Sequence, residues 1–239
     1  MLSDYFRKLG QGVGRNIRQA NWLRQAVAGS DEEKIDADHA VGRDLARAVM
    51  ANKTVDGDPH RAAWLNHVGA RLVACLANKR RRFTFTLLDS GDPNAFALPG
   101  GFIFVERTLV ELCGRDDDEI AFVLGHEMAH VVKWHALDRV LEKEVLSMLL
   151  RPGVAGALVR QFGLPLLTSA HSRDDEFEAD VFGTRLAAAA DFVPGAGPRL
   201  LDRLRPLGAS SDQPALAAYF ASHPPIPERV ARLRRVIGS

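Results

Sequence analysis

Between Ile120 and Val132 the sequence sets two histidines and a glutamate into a stretch that otherwise reads as core. Ile120, Ala121, Phe122, Val123 and Leu124 precede His126-Glu127-Met128-Ala129-His130, and Val131 and Val132 follow. The spacing predicts one long helix over about 117–144, with Asp116, Asp117, Asp118 and Glu119 crowding its start, where acidic side chains suit the helix dipole. Residues four apart share a helix face, so His126 and His130 present both imidazoles to one point. Burying three such polar groups without partners would cost several kcal/mol. A shared metal ion removes that cost, and two histidines at this spacing suit zinc, with Glu127 beside them to accept a proton from water.

A reactive zinc needs a third protein ligand and an open fourth position. The extended metzincin pattern would place Gly and His three and six residues after His130, but those positions hold Lys133 and Ala136. His135 falls one residue short, and on a continuous helix it points away, at best to the periphery of the site. A glutamate from a separate helix is the other source, and Ser172-Arg173-Asp174-Asp175-Glu176-Phe177-Glu178-Ala179-Asp180 supplies one. Glu176 and Asp180 share a face. Glu176 can bind the ion while Asp180 accepts the second ring N–H of a ligating histidine. Glu178 falls on another face and is read as unrelated.

Composition narrows the class. The 239 residues are 46% hydrophobic and 26% charged with a formal net charge of +1, which gives a real core and no bulk field for nucleic acid. Cys75 and Cys113 cannot build a disulfide framework, and both read as buried inert thiols. Residues 1–30 carry five basic groups against one acidic group, beside a helical stripe of Leu2, Tyr5, Phe6, Leu9, Val13 and Ile17. That arm can lie on an anionic membrane surface or pack on the main domain, which spans 31–239. No run of about eighteen uncharged apolar residues and no signal-peptide core is visible. A cytoplasmic or peripheral membrane location is therefore expected. Lys79-Arg80-Arg81-Arg82 reads as a solvated helix terminus. Phe83 to Leu88 and Phe102 to Val105 read as strands, with further helices over 31–53, 58–78, to about 190, and in the remainder.

Four motifs in order carry a resemblance. They are Asn94-Ala95-Phe96-Ala97-Leu98-Pro99-Gly100-Gly101; Leu124-Gly125-His126-Glu127 with His130; Ser172-Arg173 with Glu176, Ala179 and Asp180; and Ser222-His223-Pro224-Pro225 with Arg229. Over roughly 31–237 the chain resembles metallopeptidase family 48, a gluzincin group with membrane-embedded and periplasmic members. The resemblance implies a mostly helical α+β domain with a small β-sheet against the zinc helix. It implies one zinc per chain on His126, His130 and Glu176, with Glu127 as the base. It brings His223 towards the site, either as a donor to the oxyanion or as a surface histidine before a helix. It likens Phe102, Ile103 and Phe104 to an edge strand that pairs with an extended peptide, and places Asn94 among the substrate contacts. The expected activity is zinc-dependent endopeptidase action on misfolded or membrane-associated protein, in quality control. The substrate would be extended or unfolded polypeptide, with peripheral membrane contact through residues 1–30 and no nucleic acid. A periplasmic location also fits the resemblance. The alternative is a catalytically silent chaperone or scaffold, against which the intact Glu127 argues.

Overall fold

The computed structural model of the chain describes residues 29–89, 91, 93–141, 171–208, 223 and 226–238. The basic arm falls almost wholly outside them. Helix α1 (Asp31–Asn52) starts at a capping box in which the Ser30 side chain accepts from the Glu33 N–H and Glu33 accepts from the Ser30 N–H. Helix α2 (Pro59–Ala74) starts at Asp58, with Pro59 in the first turn, where a missing N–H costs nothing. Then follow β1 (Thr84–Leu88), β2 (Ala95–Leu98), a 3-10 turn (Pro99–Gly101), β3 (Phe102–Glu106) and helix α3 (Arg107–Leu112). Helices α4 (Asp117–Val132), α5 (His135–Leu141), α6 (Arg173–Ala189), α7 (Ala196–Gly208) and α8 (Ile226–Gly238) complete the described chain. Mostly helical with a small sheet, it is an α+β domain.

The sheet order is β1-β3-β2, with β1 parallel and β2 antiparallel to β3. This corrects the sequence reading of residues 102–105. Phe102, Ile103 and Phe104 lie on the central strand, whose backbone is paired on both sides, so no peptide can add there. β2, which Asn94 precedes, is the edge strand on the antiparallel side of β3. Both faces of the sheet are covered. Phe85, Leu87, Ala95, Ala97, Ile103 and Val105 join the main core with residues of α2 and α4. Leu88, Phe96, Leu98 and Phe104 pack instead on Leu45, Ala46 and Val49 of α1. The turn between β2 and β3 needs glycine: Gly100 has φ +75°, and a Cβ there would lie 2.3 Å from the His39 Cα on α1.

The long helix expected over 117–144 ends at Val132. Trp134 adopts φ +68°, a left-handed conformation costing a non-glycine residue about 1–2 kcal/mol, and α5 leaves in a new direction. The basic run explains how this is held. Arg81 is buried, not solvated, and donates from Nη1 to the Val131 carbonyl at 3.0 Å and from Nη2 to the Val132 carbonyl at 3.3 Å. Its guanidinium also lies 4.2 Å from the centre of the Trp134 ring, and Asp38 of α1 sits 3.7 Å away. The terminal carbonyls of α4 thus have a fixed cation. The acidic start of the same helix behaves as expected: Asp116 caps it, and buried Glu119 pairs with Arg199 and Arg203 of α7.

Helices α4 and α6 make the most extensive interhelix contact among the described residues. They meet at glycine against glycine. A Cβ on Gly125 would lie 2.9 Å from the Gly183 carbonyl oxygen, and one on Gly183 would lie 2.6 Å from the His126 nitrogen. The two backbones therefore touch beside His126. Of the cysteines, Cys113 is buried, which pushes its thiol up to about 12, whereas Cys75 is exposed, contrary to the sequence reading. Among the described residues no helix is long and apolar enough to cross a membrane.

Candidate metal centre

The α4–α6 contact brings His126 and His130 against Glu176. The two Nε2 atoms are 3.1 Å apart, and the Glu176 oxygens lie 3.6 Å from His126 Nε2 and 3.4 Å from His130 Nε2. Two imidazole nitrogens that close, with a carboxylate across from them, converge on one point. Tetrahedral zinc with bonds of about 2.0–2.1 Å would hold its ligand atoms roughly 3.3 Å apart, so this donor set fits the ion. His223 joins them, and one ligand atom from each of His126, His130, Glu176 and His223 lies within 4.8 Å of the others. All four residues are buried.

His223 is thus not on the surface. Its Nδ1 donates to both Glu176 oxygens at 3.0 Å, and its Nε2 is 3.7 Å from Glu127 Oε1. Glu127 faces the same space as the two histidines beside it, and is buried. Asp180, one turn after Glu176, accepts from His126 Nδ1 at 3.0 Å. Its lowered pKa, despite full burial, comes from Arg229 of α8 together with His126. Arg229 donates from Nε to Asp180 Oδ2 at 2.8 Å and from Nη2 to Oδ1 at 2.7 Å. Its Nη1 lies 3.2 Å from Glu176 Oε2 and donates to the His223 carbonyl at 3.3 Å. Sequence reasoning quoted Arg229 only within a motif. The one signal for its burial is spacing, since it stands four residues before buried Leu233 on the same helix face.

The electrostatics run in a consistent direction. Burial opposes charge on Glu176, yet His223, His126 and Arg229 hold its carboxyl well below the usual carboxylate range. Burial pushes His130 well below the ordinary imidazole range, which leaves it neutral and able to donate a lone pair. Burial also opposes charge on His223, but the Glu176 carboxylate, helped by Glu127, raises it. The remaining residues of this region divide cleanly. Glu178 stays out of the four-residue cluster, as expected, and pairs with Lys133 at 2.7 Å. His135 does not point away: its Nδ1 is 3.2 Å from His130 Nδ1. Asn94 lies at the head of β2 with its Oδ1 buried and without a hydrogen-bond partner among the described residues.

A pair of histidines one helical turn apart, an intervening glutamate, and a glutamate from a second helix together define the domain type of a gluzincin metallopeptidase. Residues 59–237 match the model of Peptidase family M48, and the chain belongs to that family. It is similar to the mitochondrial metalloendopeptidase OMA1 of Schizosaccharomyces pombe, 26% identical over 215 residues, which cover 85% of this chain and 62% of that protein. It is similar to the beta-barrel assembly-enhancing protease of Yersinia pestis, 29% identical over 185 residues covering 71% of this chain and 38% of the relative. The mitochondrial metalloendopeptidase OMA1 of Danio rerio is 32% identical over 174 residues, 65% of this chain and 35% of its own. The chain thus spans less than two thirds of the length of these relatives.

Proposed function

We propose that the chain is a zinc-dependent endopeptidase that holds one zinc on His126, His130 and Glu176 and cleaves extended or unfolded polypeptide. The observation that carries this reading is the convergence of those three side chains beside a glutamate that coordination does not use. Zinc bound there would lower the pKa of water to about 7 and polarise the scissile carbonyl. Glu127 takes the proton from the attacking water and delivers it to the leaving amine. Keeping His223 out of the ligand set leaves the open position that peptide chemistry needs, and its ring is the donor we assign to the developing oxyanion. Asp180 fixes the proton of His126 on Nδ1, leaving Nε2 for the ion.

The peptide would add along the outer edge of β2 by backbone pairing, with Asn94 Oδ1 accepting one of its N–H groups. Recognition of that kind reads backbone more than side chains, which suits misfolded or membrane-associated protein and a role in quality control. The relatives named for proteolysis in mitochondria and in beta-barrel assembly support that class of substrate. The arm of residues 1–30 would add reversible contact with an anionic membrane. The test is Glu127→Gln. The variant should keep about one equivalent of zinc and lose cleavage of unfolded casein by several orders of magnitude. Unchanged cleavage by a preparation free of other proteases would sink the mechanism.

A further inference from the structure

A histidine that gives its Nε2 lone pair to a metal must carry its proton on Nδ1, and that proton needs an acceptor. For His126 the acceptor is Asp180. For His130 no carboxylate among the described residues is in place: the atom opposite its Nδ1 is His135 Nδ1, at 3.2 Å. His135 can accept there only with its own proton on Nε2. At that end Glu178 Oε2 lies 3.1 Å away and Asp175 Oδ1 3.4 Å away. The other Glu178 oxygen is held by Lys133 Nζ at 2.7 Å. Each proton in the row then has one consistent place.

This contact exists because the helix breaks. Five residues further along a continuous α-helix, a side chain is turned by about 140° and faces away. The left-handed Trp134 redirects the chain so that His135 reaches back to His130. The strained residue is itself clamped by Arg81 and, through it, by Asp38 of α1. Backbone strain that the surroundings hold in place is a pointer to function. The His130 ring is further confined by His171, stacked on it at 3.6 Å between centroids and 14° between planes.

We propose that His135 is the positioning residue for His130, accepting its Nδ1 proton and being fixed in turn by Glu178. This rests on the metal-centre reading above and deepens it. The two ligating histidines are then held by different partners, one by an ion-paired carboxylate and the other by a second imidazole.

The experiment measures zinc affinity of the full chain by competition with a chelator, for wild type, His135→Leu and His135→Asn. Leucine fills the space without an acceptor. Asparagine places an oxygen where Nδ1 stood. His135→Leu should bind zinc about 10–100-fold more weakly, and His135→Asn should recover to within about 3-fold of wild type. Equal affinity for wild type and His135→Leu would overturn the assignment, as would His135→Asn as weak as His135→Leu with both folded. Long-range nitrogen–proton NMR of the zinc-loaded wild-type chain gives a readout that needs no variant. It should find the proton of His130 on Nδ1 and that of His135 on Nε2, and the reverse would overturn the proposal. Wild type that takes up no zinc would overturn the metal-centre reading, whereas zinc uptake with the reverse tautomers would overturn the His130–His135 pairing alone.

Discussion

Arg229 is the place where a single substitution should cost most. Its buried guanidinium binds Asp180 through two bonds of 2.7–2.8 Å, approaches Glu176 at 3.2 Å and donates to the His223 carbonyl. Glu127, Glu176 and Asp180 form a buried trio of carboxyl groups, which one arginine and one divalent ion would neutralise. Replacing Arg229 by Met keeps much of the volume and removes the cation. Breaking a buried pair by deleting one partner costs about 3–5 kcal/mol, because the other charge stays behind. Against a typical stability of roughly 5–15 kcal/mol, that is a large share. Urea unfolding of the metal-free chain should report it as a shifted midpoint at unchanged slope. The companion Arg229→Met/Asp180→Asn variant should regain a good part of the loss, since the orphaned carboxylate is then gone. Added zinc should also narrow the gap, because it returns positive charge to the same trio. A loss under about 1 kcal/mol for Arg229→Met, or a double variant no better than the single, would refute this account of the site.

Zinc content should fall sharply in Glu176→Ala, whereas Glu178→Ala should still reach one equivalent at saturating zinc, as elemental analysis after dialysis would show; equal loss in both would remove the ligand assignment. Asp38 is buried against Arg81 and its carboxyl is pushed up to about 7 by that burial, so the native chain keeps a proton that the unfolded chain releases near pH 4. Stability should therefore decline as pH rises between about 4 and 7, by up to about 1.4 kcal/mol per unit, and then level off. Asp38→Asn should flatten that decline in thermal melts at pH 5, 6 and 7.5, and parallel curves for the two proteins would contradict it. Full-length protein should co-sediment with anionic liposomes at low salt while a chain of residues 31–239 stays in solution; two soluble proteins would assign the arm to packing.

Local periodicity made the centre of the site legible. The four-residue spacings of His126 with His130 and of Glu176 with Asp180 are properties of single helices, and the structure brings those pairs together. What depends on meetings between distant segments was not. Arg229 reaches Asp180 across 49 positions with no local pattern to announce it, and His223, which reaches Glu176 across 47, was brought towards the site by the family resemblance alone. The order of strands escaped because alternation tells which face a residue is on and says nothing about its neighbouring strand. The turn at Trp134 escaped because its cause is the distant Arg81, with no glycine or proline to mark it. Arg81 itself was hidden among four consecutive cations.

The contact between Gly125 and Gly183 has a consequence for how this domain can vary. The gap between the helix carrying His126 and the helix carrying Glu176 is set by backbone resting on backbone, so no rotamer can adjust it. Any side chain at either glycine acts as a wedge, and the ligands on the two helices separate together. A library built over this domain should therefore return a sharp silence at these two positions. Exposed turns of the same helices, a few residues away, should accept changes freely. Calibration of the site would be inherited as an empty space, kept by the lack of atoms at two positions.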